Sequence, residues 1–296
     1  MELRHLRYFL ATAREGNMTR AAAACHVSQP ALSRQLADLE RELGCELFMR
    51  GSRGVELTDE GMLLRKRAEE IVLLADRAEL ELRADNAHVE GDVWIGAGES
   101  HVVKLVAEVA KLIGQSHPGI RLRLYSGNYD DVIERVDKGL LDFGIVMGRE
   151  PEQRFETLAL PGKDRWGVLM RSDHPLASSA SLTLDDLSQE RLIVSTQSHE
   201  VEPDPHLEFF QKRGCTVVAT YTLLYNASLL VEQGVGVAVC FDGIVRTGAG
   251  TPFAFVPLSD VPGVSSLLVH KRFQPLSRAC DVFLRAVGEA CNAGRT

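Results

Sequence analysis

The stretch SQPALSRQLADLERELG, residues 28–44, decides the reading of the chain. Ser28 is a natural N-cap, Pro30 falls in the first turn, and Gly44 stops the run. Leu32, Leu36, Leu39 and Leu43 follow spacings of 4, 3 and 4, which is one buried face of a helix. The opposite side of its first turns carries Gln29, Ser33 and Arg34. Upstream, Thr19 can cap RAAAACH, a short helix whose small residues let a neighbour approach closely, and His26-Val27 forms a tight link. Before that, Leu3, Leu6, Leu10 and Ala13, with Phe9 beside them, make one face of a first helix that Gly16 ends. A short small-residue helix, a turn and a longer helix with polar donors at its N-terminal end is a helix-turn-helix layout. Such an end can enter a DNA major groove, where Gln pairs with adenine, Arg with guanine, and Ser serves a base or a phosphate.

Downstream lies LFMRGSRGVELT, residues 47–58. Leu47-Phe48 is apolar, Val55 and Leu57 alternate with Glu56, and a glycine-flanked basic tip separates the two. This reads as a two-stranded wing carrying Arg50 and Arg53 to the backbone or minor groove. The segment resembles the N-terminal domain of LysR-type transcriptional regulators. The resemblance rests on Leu3, Phe9, Ala21-Ala22, the run Val27 to Leu36, Leu39-Glu40, Leu43-Gly44, Leu47-Phe48, Arg50, Leu57-Thr58 and Gly61. Asn17 stands where the family often has Ser, and Cys25 where it usually has Leu; Asn can still cap and Cys is a small hydrophobe. The resemblance implies that Gln29, Pro30, Ser33 and Arg34 face DNA, with Arg50 and Arg53 on the wing. Thr19 and Ser28 complete the expected DNA-binding set of a winged helix-turn-helix over residues 1–58.

Residues 59–87 contain no Pro, and their only Gly is Gly61. Thr58-Asp59-Glu60 offers a cap and an acidic first turn. Leu64, Ala68, Ile71, Ala75, Ala78 and Leu82 then follow heptad spacings. A lone helix of this length needs a partner, so a dimerisation helix is expected over packing on its own domain. A dimer would place two recognition helices on two half-sites. The family resemblance implies the same linker, often in a tetramer.

From Gly91 the pattern changes. Val93-Trp94-Ile95 is strand-like, and GAGESH leads into a helix through Val103, Val106, Val109, Ala110 and Ile113. Ile120, Leu122 and Leu124 alternate with Arg121, Arg123 and Tyr125, the period of a strand. A helix from Asp130 to Lys138 and a strand from Leu141 to Val146 follow. This β-α-β-α-β order predicts a parallel sheet with right-handed crossovers. A second round runs through strands at Trp166–Met170, Leu192–Val194, Val217–Tyr221 and Val235–Phe241, with helices at His206–Arg213 and Ala227–Glu232. Val256 and Leu267–Val269 complete the sheets, and a helix from Ser277 to Cys291 closes the chain.

This half resembles the LysR-type effector-binding domain, similar in fold to periplasmic solute-binding proteins. Its anchors are Ile95-Gly96, Ser100, His117-Pro118, Leu140 to Ile145, His174-Pro175-Leu176 and Leu230 to Val237. The resemblance implies a multi-domain α + α/β protein whose third part, residues 88–296, is two-lobed. Lobe I would span about 88–162 and 268–296, and lobe II about 163–267. It also implies effector contacts at Ser100, Gly127, Asn128, Ser195, Thr196, Gln197 and Asn226, with Glu99 and His101 flanking the first. Small organic acids are the family's usual effectors; the acidic neighbour weighs against a simple dianion.

The net charge of −8 speaks against nucleic-acid binding only as an average. Residues 1–58 hold 8 Arg and 7 acidic residues, while residues 88–296 hold 20 basic and 26 acidic. No run of 18 apolar residues and no signal-peptide core are present, so a cytoplasmic protein without a membrane span is expected. The six cysteines form no CxxC pair and read as reduced thiols; a redox pair of Cys215 with Cys240 stays open. No Walker loop, GxSxG or HExxH occurs, and Glu99 with His101 reads as loop residues rather than an acid–base pair. The expectation is therefore a non-enzymatic regulator without cofactor or metal. Its partners would be double-stranded operator DNA, a small-molecule effector, further copies of itself and, as a further candidate, RNA polymerase. The competing classes are a thiol-redox regulator and, more remotely, a cytosolic solute-binding protein or enzyme.

Overall fold

A computed structural model describes residues 1–51, 54–83, 89–195 and 215–293, with side chains at all of these except 50, 51 and 80–83. The chain divides into two units, residues 1–84 and 85–296. The first contains α1 (Leu3–Glu15), α2 (Met18–Ala24), α3 (Gln29–Leu43), the hairpin β1 (Phe48–Gly51) and β2 (Gly54–Leu57), and α4 (Asp59–Arg83). Its core gathers Leu6 and Phe9 of α1, Ala21 and Ala22 of α2, Leu32, Leu36 and Leu39 of α3, Leu47 and Ala68. The alanines of α2 let α1 and α3 close over it.

The cap of α2 is a correction to the sequence reading. The Asn17 side chain accepts hydrogen bonds from the N–H groups of Thr19 (2.9 Å) and Arg20 (3.0 Å). Thr19 is the second residue of the helix and not its cap, because the longer Asn amide reaches two orphan donors from one position outside. His26 turns the chain from α2 to α3 at a φ of 53°. Ser28 caps α3 as its sequence suggested, accepting from the Ala31 N–H at 3.4 Å.

Glu40 of α3 ties the wing to the recognition helix. Its carboxylate accepts from the N–H groups of Leu47 (2.8 Å) and Phe48 (3.2 Å). Thr58 then caps α4, accepting from the Gly61 N–H at 2.9 Å. Gly61 is required by close approach, since a Cβ there would lie 2.2 Å from the Leu47 carbonyl oxygen. The proposed seam of α4 divides. Ala68 is fully buried in the core of its own unit, and Leu64 and Val72 pack against that core. Ile71 and Ala78 are exposed, as are Met62, Leu63 and Leu74, while Ala75 is half-buried. Leu64 and Ala68 therefore anchor α4 to its own domain, and Leu63, Ile71, Leu74 and Ala78 are spaced to share a neighbouring stripe left outside.

The second unit contains two five-stranded sheets. One is built from β3 (Gly91–Ala97), β4 (Ile120–Ser126), β5 (Phe143–Met147), β6 (Phe155–Ala159) and β12 (Ser266–Lys271), in the order β4-β3-β5-β12-β6. The other is built from β7 (Trp166–Arg171), β8 (Arg191–Ser195), β9 (Thr216–Tyr221), β10 (Val237–Phe241) and β11 (Phe253–Pro257), in the order β11-β7-β10-β8-β9. Helices α5 (Val103–Ser116), α6 (Tyr129–Asp137), α7 (Leu224–Glu232) and α8 (Arg278–Ala293) cover them. Phe283 and Val287 of α8 enter the same core as Val109 and Ile113 of α5.

The sheets are mixed rather than parallel throughout. Strands β3, β4 and β5 run parallel, but β12 pairs antiparallel with β5 and β6. Likewise β10 is parallel to β8 and antiparallel to β7. A helical crossover returns a strand parallel; β7 and β12 instead enter directly from the other lobe, without a helix between. The strand β6 lacked a period in sequence because only Phe155 of its five residues is buried. The helix expected over 206–213 lies outside the described residues. Among the described residues no helix is long and apolar enough to cross a membrane.

Replacing Asn17 by Ala is expected to cost the first unit about 1 kcal/mol, the usual worth of an N-cap, whereas Thr19→Ala costs less than about half of that. Native-state hydrogen exchange at the α2 amides separates the two.

Candidate functional site

Burying the leucine face of α3 turns its first two turns outward. Ser28, Gln29, Pro30 and Arg34 are exposed and Ser33 is half-buried. Gln29, Pro30, Ser33 and Arg34 are spaced so that they share one face at the N-terminal end, where free N–H groups favour anions. The other described arginines of this unit's three-helix part are occupied by acids. Arg4 pairs with Glu2, Arg7 with Asp76, Arg14 and Arg20 with Glu15, and Arg41 with Asp38. Arg34 makes no ion pair among the described residues. It therefore offers an uncommitted cation in the same two turns of α3 as the Gln29 amide. Arg50 lies in β1 opposite Val55, and Arg53 lies outside the described residues.

The second cluster forms where the two lobes join. Glu99, Ser100 and His101 follow β3 and precede α5, and Gly127-Asn128 follows β4. Because Ala97 pairs with Ser126 in parallel register, both loops leave the sheet at the same carboxyl edge. Asn128 caps α6, accepting from the Asp131 N–H at 2.8 Å. In the second lobe Ser195 ends β8 beside Tyr221 of β9, and Asn226 is exposed in the first turn of α7. Thr196 and Gln197 lie outside the described residues.

One residue that sequence reasoning passed over dominates this junction. Asp164 is only 5% exposed and sits on a chain crossover between the lobes. Its backbone exchanges hydrogen bonds with Val264 of the returning crossover, at 2.9 and 2.8 Å. Its carboxylate accepts from the Ser100 hydroxyl at 2.6 Å, from the His101 N–H at 3.2 Å and from the Ser266 hydroxyl at 3.4 Å. The Ser100 oxygen in turn accepts from the Val102 N–H at 3.0 Å. Glu99 crosses to the second lobe, where its carboxylate accepts from the Leu224 N–H at the start of α7. That helix has no capping side chain of its own, so Glu99 takes the part. Burial holds the Tyr221 hydroxyl well above its usual range, and the Cys240 thiol and then the Glu99 carboxylate add to the shift. His101 stands over Gly243, where a Cβ would lie 2.7 Å from its Nδ1.

The cysteine pair left open by sequence is excluded by the sheet. Cys240 lies in β10 and Cys215 immediately precedes β9, with β8 between the two strands. Two strand spacings alone separate them by roughly 10 Å, beyond disulfide reach. Cys240 is buried, and burial raises its thiol far above the usual range, which keeps it protonated and unreactive.

A winged helix-turn-helix joined to a two-lobed α/β sensor defines the class as a ligand-responsive DNA-binding protein. The comparisons agree. Residues 3–62 match the model of the bacterial regulatory helix-turn-helix protein, lysR family, and residues 86–292 match the LysR substrate binding domain. The chain belongs to the LysR family of transcriptional regulators, in which an effector-binding domain controls a DNA-binding one. It is 30% identical to the Hca operon transcriptional activator HcaR of Escherichia coli, over 92% of each chain. It is 28% identical to the transcriptional regulator BenM of Acinetobacter baylyi, over 92% of this chain and 90% of that one. The full-length structure of CbnR complexed with its target DNA shares the fold at a TM-score of 0.77 and 21% identity, covering 98% of this chain and all of that one.

Because its thiol is raised by burial, Cys240 is expected to resist iodoacetamide at pH 8 in the folded chain and to react fully once unfolded. Peptide mapping by mass spectrometry reads both states.

Proposed function

We propose that residues 1–58 read operator DNA, that residues 59–87 join copies of the chain, and that a small molecule held between the lobes of residues 88–296 sets which arrangement of those copies prevails. The observation that carries the DNA half is Arg34: outward and without an ion partner among the described residues, in the first two turns of α3 with Gln29. Arg and Gln there match guanine and adenine edges, and Ser28, Ser33 and Thr19 are assigned to phosphates. That CbnR is seen with its target DNA supports the same use of the fold. Arg50 and Arg53 extend the contact along the wing.

Exposed Leu63, Ile71 and Leu74 on α4 make an apolar stripe that a second copy covers. A homodimer, or a tetramer built from two, follows, and RNA polymerase is the further partner an activator would engage. The named relatives HcaR and BenM are transcriptional regulators, which supports a cytoplasmic, non-catalytic role.

The effector contacts are assigned to Glu99, Ser100, His101, Gly127, Asn128, Ser195, Thr196, Gln197 and Asn226. The effector acts by favouring one arrangement of the lobes and copies over another.

Arg34→Ala should weaken specific operator binding by about 1–3 kcal/mol in a gel shift at fixed salt while leaving non-specific binding nearly unchanged. Unchanged specific affinity would remove Arg34 from the interface. Ser100→Ala should abolish the effector response in a reporter assay and leave operator affinity intact.

A further inference from the structure

The loop after β3 is a cradle of hydrogen-bond donors, and the chain has filled it with its own carboxylates. A serine hydroxyl has one hydrogen to give and two lone pairs to receive with. Ser100 gives its hydrogen to Asp164 at 2.6 Å, the length of a charge-assisted bond, and receives the Val102 N–H. What remains to it is one lone pair, an acceptor. The His101 N–H and the Ser266 hydroxyl are also spent on Asp164, and the Leu224 N–H at the start of α7 is spent on Glu99. Of the two cations that flank Asp164 on the crossover, Arg165 is paired with Asp242, and the stem of Lys163 lies along Gly263 of the returning crossover. A carboxylate arriving at Ser100 would thus meet donors already engaged and two fixed negative charges.

We propose that Asp164, assisted by Glu99, sets the ligand class at the Ser100 end of the cleft: it takes a hydrogen-bond-donating group, an ammonium foremost and a hydroxyl or amide N–H next, and excludes carboxylates. This rests on the reading of Ser100 as an effector contact. Asp164 is a positioning residue: it fixes the direction of the Ser100 hydroxyl and supplies charge from behind it. A donor group binds to the free Ser100 lone pair and the second Glu99 oxygen, and its positive charge is stabilised by both carboxylates.

The test is chemical rescue in the full-length chain. Asp164→Ala vacates the donor cradle, so formate, at constant ionic strength, should raise its melting temperature saturably, binding about tenfold or more tightly than to the wild type. Asp164→Asn removes the charge with the shape retained and serves if the alanine variant does not fold; it should bind formate more tightly than wild type by a smaller factor. Glu99→Gln should relax the discrimination without creating a new cradle. Formate or succinate that stabilises the wild type, in a way that Ser100→Ala abolishes, overturns the proposal. So does the absence of any formate effect on both folded Asp164 variants. Neither outcome touches the regulator reading, which fails separately if the wild-type chain shows no sequence-specific DNA binding.

Discussion

The burial of one leucine face governs what the first unit can do. Leu32, Leu36 and Leu39 of α3 have almost no exposure, and each buried leucine contributes about 1.5–3 kcal/mol. With that face fixed inward, helix geometry leaves no freedom over Gln29, Ser33 and Arg34 at the same helix's N-terminal end. The wing obeys the same helix, because Glu40, on the flank of the buried face, holds the first N–H groups of the hairpin. Recognition chemistry and core packing are thus two faces of a single 15-residue helix.

In the second unit a buried carboxylate plays the comparable part. Asp164 joins three segments remote in sequence: its own crossover, the loop after β3, and the returning crossover at Val264 and Ser266. A buried charge is tolerated only when its lone pairs are met, and here three donors meet them. Movement of one lobe on the other must therefore be accommodated around this knot, while Glu99, reaching α7, and His101, standing over Gly243, are contacts between lobes that such movement would disturb. A ligand that engages Ser100 and Glu99 touches both.

How much of this the sequence disclosed follows from the range of the interactions. The recognition helix was legible because its cap, its seam and its stop lie within 17 residues, from Ser28 to Gly44. The strands at Val93–Ile95 and Ile120–Tyr125 were legible for the same reason. The error at Thr19 came from two polar residues, Asn17 and Thr19, standing on either side of Met18 and competing for one cap, which geometry and not composition decides. The heptad seam of α4 was only partly informative because periodicity reports an apolar face without naming what covers it: Ala68 is buried in the core of its own unit, while Ile71 and Ala78 stay outside. The mixed sheets were missed because a strand's direction depends on how the chain returns, and the returns at β7 and β12 carry no helix to announce it. Asp164 gave no local signal: its partners lie 63, 64 and 102 residues away. The residues flanking Ser100 were placed by resemblance, and the structure adds what occupies their hydrogen bonds.

The central claim is that two outward-facing α3 ends, held in a symmetric assembly, read DNA by sequence. It is tested most directly by selecting bound duplexes from a random library with the full-length chain. The account predicts enrichment of paired, inverted half-sites whose centres are one helical turn apart, about 10 base pairs, or a multiple of it. Enrichment of no sequence, or of lone half-sites without a preferred spacing, would contradict it.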